Sequence, residues 1–97
     1  MKTKPPRPLG RAITIDMPLP GGGSCRYIGR EVRRDADRIV LVEAAWVAHT
    51  GRMSDFLAGV LDGACEVEPH PPTMEVELPL TGAVIADWPG TLPAVKR

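Results

Sequence analysis

The sequence predicts a mainly β domain of the small α+β kind: a five- or six-stranded antiparallel sheet or partly open barrel, with one short helix at about residues 51–61. Three observations predict it. Residues 73–80, TMEVELPL, alternate apolar Met74, Val76 and Leu78 with Glu75 and Glu77, the period of a half-buried strand. Residues 38–48, RIVLVEAAWVA, form a β-branched and nearly continuous apolar run, which suits a central strand buried on both faces. Between these two, the period changes. Met53, Phe56, Leu57, Val60 and Leu61 fall at i, i+3, i+4, i+7 and i+8, which places them on one face of a helix.

The remaining elements follow in chain order. Residues 1–10, MKTKPPRPLG, read as a basic arm, extended because its prolines fix φ and remove backbone donors. A single β-rich domain is expected over 11–93, followed by a basic tail at 94–97. Residues 12–16, AITID, alternate as a short strand. The Gly-rich loop 18–24, PLPGGGS, cannot continue a strand ladder, and it lacks the Lys-Ser/Thr ending and following helix of a phosphate loop. Residues 25–34, CRYIGREVRR, form a second strand, turned by the DAD of 35–37 into an antiparallel hairpin with 38–48. Thr50 or Ser54 can cap the free N–H groups of the helix, and Asp62-Gly63 can end it, Gly63 suiting a left-handed cap. CEVEPHPP, 65–72, is a brief edge segment closed by prolines, and GAVIADWPG, 82–90, is the last strand. The order is β-β-β-α-β-β with an extra edge strand accommodated.

A chain of 97 residues buries a modest core. Its aromatics are Tyr27, Trp46, Phe56 and Trp88 alone, so the interior rests on aliphatic side chains and stabilisation by self-association is expected. The net charge is zero but segregated: residues 1–34 hold eight Lys/Arg against two Asp/Glu, and residues 35–95 hold two against ten. This suits a solvated basic tail on an acidic domain, or a basic arm of one subunit on the acidic face of another. A nucleic-acid binder would show a net basic balance with interleaved aromatics, so nucleic acid is not an expected partner. No apolar run approaches the ~20 residues of a membrane span, and no apolar segment follows the basic start. The expected location is therefore the cytoplasm, where Cys25 and Cys65 read as free thiols.

Chemistry is most concentrated at AAWVAHTGR, residues 44–52. A helix N-terminus offers unpaired N–H groups and partial positive charge. Thr50, Gly51 and Arg52 would stand there: Gly51 permits close approach, Arg52 can grip an anion bidentately, and Trp46 or His49 can stack on a ring. These five residues suit a phosphate-bearing, nucleotide-like ligand. The alternative is a capped helix whose Arg52 pairs with Glu43, Asp55 or a carbonyl. Glu66, Glu68 and His70 project to one side of an extended segment, a spacing that metal ligands can share but that solvated surface residues show far more often. Glu75 and Glu77 read as the wet face of a strand, and no spacing supports a Cys-His pair. No catalytic residue, metal ligand or cofactor is assigned.

The chain also resembles a family of small uncharacterised β-domain proteins of phages, prophages and mobile elements. Gly29-Arg30 matches that family's first Gly-Arg strand. Trp46, Val47, Ala48, Thr50, Gly51 and Arg52 match its Trp-Ile/Val-Ala-x-Thr-Gly-Arg motif, and Glu66-Val67-Glu68-Pro69 its acidic segment. Met53 replaces the usual Phe, and ADWPGTLP matches the end loosely. The resemblance spans roughly 26–93. It implies a compact β domain with one helix, a mobile-element origin and self-association, and it carries no activity. The expected function is a non-enzymatic homo-oligomeric binding protein, a dimer or tetramer. Its most concrete form is a counter-defence sponge that sequesters a nucleotide-derived signal. A virion or assembly component, and a hydrolase of such a signal, are the alternatives.

Overall fold

The longest apolar run of the chain forms an interior strand of the sheet. In the computed structural model, which describes residues 10–93, that run is β3 (Arg38–His49), and its partner across the DAD turn is β2 (Ser24–Arg34). The turn is set by Asp35, whose Oδ1 accepts the N–H groups of Asp37 and Arg38, both at 2.8 Å. Of the arm expected at 1–10, residues 1–9 lie outside the described residues, as does the tail at 94–97.

Six antiparallel strands make one open sheet. β1 (Ala12–Pro18) pairs with β2, and β6 (Val84–Asp87) lines the far side of β1. The other side of β3 is too long for one short partner and takes two. β5 (Val76–Pro79) pairs with its first third, Arg38–Leu41, and β4 (Glu66–Pro69) with its last, Ala45–His49. Between them the proline-rich link still bonds to β3: His70 N–H donates to Ala44 O at 2.8 Å, and Glu43 N–H to Pro72 O at 2.9 Å.

Two bulges shape the β2–β3 ladder. The extra residue on β3 is at Glu43, whose φ of 50° is the only positive value among the described non-glycine residues. It turns the pleat so that Leu41 and Ala44 both face the same core. Gly29 lies opposite, where a Cβ would stand 3.0 Å from Leu41 Cδ1, so this position of the Gly-Arg pair is needed for space. The second bulge, near Val32 on β2, compensates for the first and restores the count.

Each face of the sheet carries a buried cluster. On one, Ile13, Ile15, Met17, Ile39, Leu41, Ala44 and Leu78 pack together; on the other, Ile28, Val47, Phe56 and Trp88. Cys25 borders the first cluster and Cys65 the second, and both are free thiols.

The helix corrects the sequence reading most. It is α1 (Met53–Leu57), five residues rather than 51–61. Arg52 occupies the N-cap with no side-chain cap bond, so neither Thr50 nor Ser54 serves. The terminator is Gly59, at φ 86°, and not Gly63. The cause is a tight closing turn: Gly59 N–H bonds to Phe56 O and Val60 N–H to Asp55 O, both at 2.9 Å, while the Gly59 and Gly90 backbones abut. Val60 and Leu61 thus lie beyond the helix. Of the five residues expected on the inner face, Phe56 alone is buried; Met53, Leu57, Val60 and Leu61 are exposed. The flanking strands are also shorter than expected. Met74 sits in a turn and is exposed, while Val76 and Leu78 do face inward.

Candidate functional site

The Thr-Gly-Arg corner follows directly from the end of β3. His49 is the last strand residue, opposite Glu66. Its Nδ1 accepts the Gly51 N–H at 3.0 Å, which leaves Nε2 to carry the proton of the neutral ring. Thr50 Oγ1 donates to Gly51 O at 3.2 Å. Gly51 adopts φ 70°, and a Cβ there would collide with the Asp62 carboxylate, so both conformation and space require glycine.

An anion already stands at this corner, and it belongs to the chain. Asp62 Oδ1 accepts the Ala64 N–H at 2.8 Å, and Oδ2 the Arg52 N–H at 3.4 Å. These N–H groups, Ala64 first and Arg52 second, hold the Asp62 carboxyl below its ordinary range. The Arg52 guanidinium is exposed and makes no ion pair among the described residues. Glu43 is engaged by Arg30, whose Nε lies 3.2 Å from its Oε2. A phosphate at this corner would meet Arg52 freely but would compete with Asp62 for the backbone donors.

Trp46 does not join the corner. It stands in a row across three strands, with Tyr27 of β2 on one side and Glu68 of β4 on the other. Trp46 is 40% exposed, although its neighbours Ala45 and Val47 are buried. His70 stacks on Tyr27, ring centroids 5.8 Å apart at 27°. Burial pushes the Tyr27 phenol up, with Cys25 adding to the effect. The structure thus divides the five predicted residues: His49, Thr50, Gly51 and Arg52 share the corner, while Trp46 belongs to an aromatic row with Tyr27 and His70. Sequence reasoning missed Tyr27, weighed His70 only for a metal spacing with Glu66 and Glu68, and read Asp62 only as a helix stop. Tyr27 was findable: counting back along the hairpin from the pair Arg34–Ile39 places it opposite Trp46, because the two bulges cancel.

A separate cavity of about 110 Å³ lies at the turn end of the β2–β3 hairpin, lined by Arg33, Arg34, Asp35, Arg38, Val40 and Glu77. Most of its charge is spent. Arg33 grips Glu75 with two bonds, at 2.8 and 3.3 Å, and Arg34 grips Glu31 at 2.7 and 2.9 Å. Ligand pockets typically measure ~300–1,000 Å³, so this one is too small to enclose a nucleotide. Among the described residues no group of three His, Cys, Asp or Glu side chains is placed to hold a metal, and no helix is long and apolar enough to cross a membrane. Compared with family models, curated proteins and solved structures, the chain matches none.

Proposed function

We propose that this chain is a non-enzymatic binding protein that acts as a homo-oligomer, a dimer or tetramer, and holds a phosphate-bearing small ligand between its subunits. The observation that carries the reading is one apolar patch. Met53, Leu57, Val60 and Leu61 are between 36% and 52% exposed and lie within the single connection from β3 to β4. Single exposed apolar side chains are ordinary, whereas a cluster of them marks an interaction surface. Arg52 precedes Met53 and is itself exposed. Burying the patch against a second copy brings Arg52 to the seam, where its unpaired guanidinium can meet an anion. A seam between subunits also supplies the volume that the 110 Å³ cavity of one chain lacks. In the mobile-element setting implied by the resemblance, such a protein suits sequestration of a nucleotide-derived immune signal without turnover.

A virion or assembly role is the second reading, favoured by the segregated charge of the chain. Native mass spectrometry of protein purified from infected or signal-producing cells separates the two. The sponge reading expects a closed oligomer that retains a nucleotide mass. A ligand-free assembly selects the structural role, and release of a processed product selects a hydrolase. A monomer at high micromolar concentration ends the oligomer reading. Leu57→Ser with Val60→Ser is expected to weaken association at least tenfold while leaving the fold intact.

A further inference from the structure

We propose that the half-open aromatic row on β2, β3 and β4 receives the basic, proline-rich arm, residues 1–9, of a second copy of this chain. The proposal rests on the homo-oligomer reading and adds to the apolar patch a second contact between copies.

Tyr27, Trp46 and Glu68 are direct cross-strand partners, so their side chains leave the sheet on one side within about 10 Å. With His70 stacked on Tyr27, the row presents aromatic surface beside a carboxylate. Proline rings pack on open aromatic faces, and a polyproline segment loses little entropy on docking because it is already extended. Guanidinium and ammonium groups favour a Trp face, more so beside an acid. Glu68 lies in the row and Glu66 two residues before it on β4; neither has an ion-pair partner among the described residues.

The sequence supplies the matching segment. MKTKPPRPL holds Lys2, Lys4 and Arg7, three prolines and no acid. Its attachment leaves a second copy in reach as well as the chain's own row, and the apolar-patch oligomer supplies that second copy. The described chain begins at Gly10, whose carbonyl accepts a bond from Arg30 Nη1 at 3.2 Å. β1 is entered opposite Arg30 and reaches the level of Tyr27 only at Ile15, so the arm joins at the end remote from its own row. Nine extended residues span about 30 Å. They cross to a neighbour directly, and a two-fold arrangement returns the second arm to the first copy.

Charge exchange in the full chain tests the proposal. Three variants are compared by sedimentation over a range of concentrations: Lys4→Glu with Arg7→Glu, Glu66→Lys with Glu68→Lys, and all four together. Each pair alone is expected to weaken association at least tenfold, and the fourfold variant to recover most of it. Trp46 emission is the second readout, because Trp88 is buried and its indole N–H is bonded to Thr91 O. A synthetic peptide of residues 1–10, added in excess, is expected to shift Trp46 emission and dissociate the oligomer; Trp46→Phe identifies the signal. Unchanged association in both charge-reversed pairs overturns the proposal while leaving the apolar-patch oligomer standing. An arm-dependent Trp46 signal independent of protein concentration assigns the row to the chain's own arm and overturns it equally. A wild-type monomer at all concentrations removes the oligomer reading itself.

Discussion

The two faces of the sheet are closed by different means. On one, Ile13, Ile15, Ile39 and Leu41 are shut in by side chains from the sheet's own outer strands, Val76 and Leu78 of β5 and Ile85 of β6. On the other, Ile28 and Val47 are covered by Phe56 and Trp88, which come from segments outside the sheet and meet at 4.9 Å between ring centroids. The first face is a product of strand periodicity and its burial is shared among many aliphatic residues. The second depends on two aromatic plugs, Phe56 on the short helix α1 and Trp88 on irregular chain just after β6. Loss of one side chain should therefore have local consequences on the second face and global ones on the first.

The largest expected effects come from breaking each face at its centre. Phe56 is fully buried, so Phe56→Ala should cost about 3–5 kcal/mol; Leu41→Ala, also fully buried, should cost about 2–5 kcal/mol. Native-state hydrogen exchange separates them. Phe56→Ala is expected to strip protection from residues 50–65 first, while β1–β3 keep theirs. Leu41→Ala should lower protection across the sheet. The same exchange pattern in both variants would erase the distinction between the faces.

The first face was legible in the sequence because its signals are local. The alternation Ile13–Ile15, the run at 39–41 and the inward pair Val76–Leu78 each announce a strand, and the DAD turn sets the hairpin register. The cover of the second face was legible only in Phe56. Helical spacing over 53–61 assigned five residues to it, but spacing assumes the helix continues. What ends α1 is the closing turn at Gly59, packed against Gly90 far along the chain, and helical spacing reports neither. The candidate corner shows the same division. Gly51 and Arg52 were visible as a motif, whereas Asp62, which fills the corner, is joined to it only by the fold.

Gly59→Ala sharpens that point. The residue would need φ 86°, and its Cβ would stand 2.4 Å from Gly90 N. A cost of about 1–3 kcal/mol is expected in chemical denaturation, with Trp88 emission reporting the disturbed neighbour. Gly63→Ala is the control, since a Cβ there meets nothing within 4 Å. It should stay within about 0.5 kcal/mol, and an equal loss at both positions would mean that the turn at Gly59 is not the terminator.

Arg26 joins the second face to its border. Its guanidinium lies 3.3 Å from Asp16 Oδ2, donates to Thr14 Oγ1 at 3.4 Å and sits 5.3 Å from the centre of the Phe56 ring. The other Asp16 oxygen is buried with no partner among the described residues. Arg26→Ala leaves that carboxylate wholly unpaired and removes a cover from Phe56, for an expected loss of about 1–2 kcal/mol. Thermal melts of Arg26→Ala, Phe56→Ala and the double variant should show less than additive losses. Strict additivity would mean that Arg26 and Phe56 do not act together.

The smallest effect on stability, and the most direct on function, is expected at Asp62. Its carboxyl is held below the ordinary value of 3.8 by the Ala64 and Arg52 N–H groups. A depressed folded-state pKa stabilises the fold above the unfolded value, and this stabilisation is lost as pH falls through the folded value. The corner should thus loosen only below about pH 3.8, and Asp62→Asn should remove that component of the acid response. Above it, Asp62 acts as a resident anion. Asp62→Ala frees the Arg52 N–H and removes negative charge beside the exposed guanidinium. Inorganic phosphate, followed through the Arg52 amide resonance near neutral pH, is then expected to bind several-fold more tightly than in wild type, with the melting temperature lowered slightly. If Asp62→Ala leaves phosphate affinity unchanged, the carboxylate does not guard the corner, and Arg52 is not the anion contact of this protein.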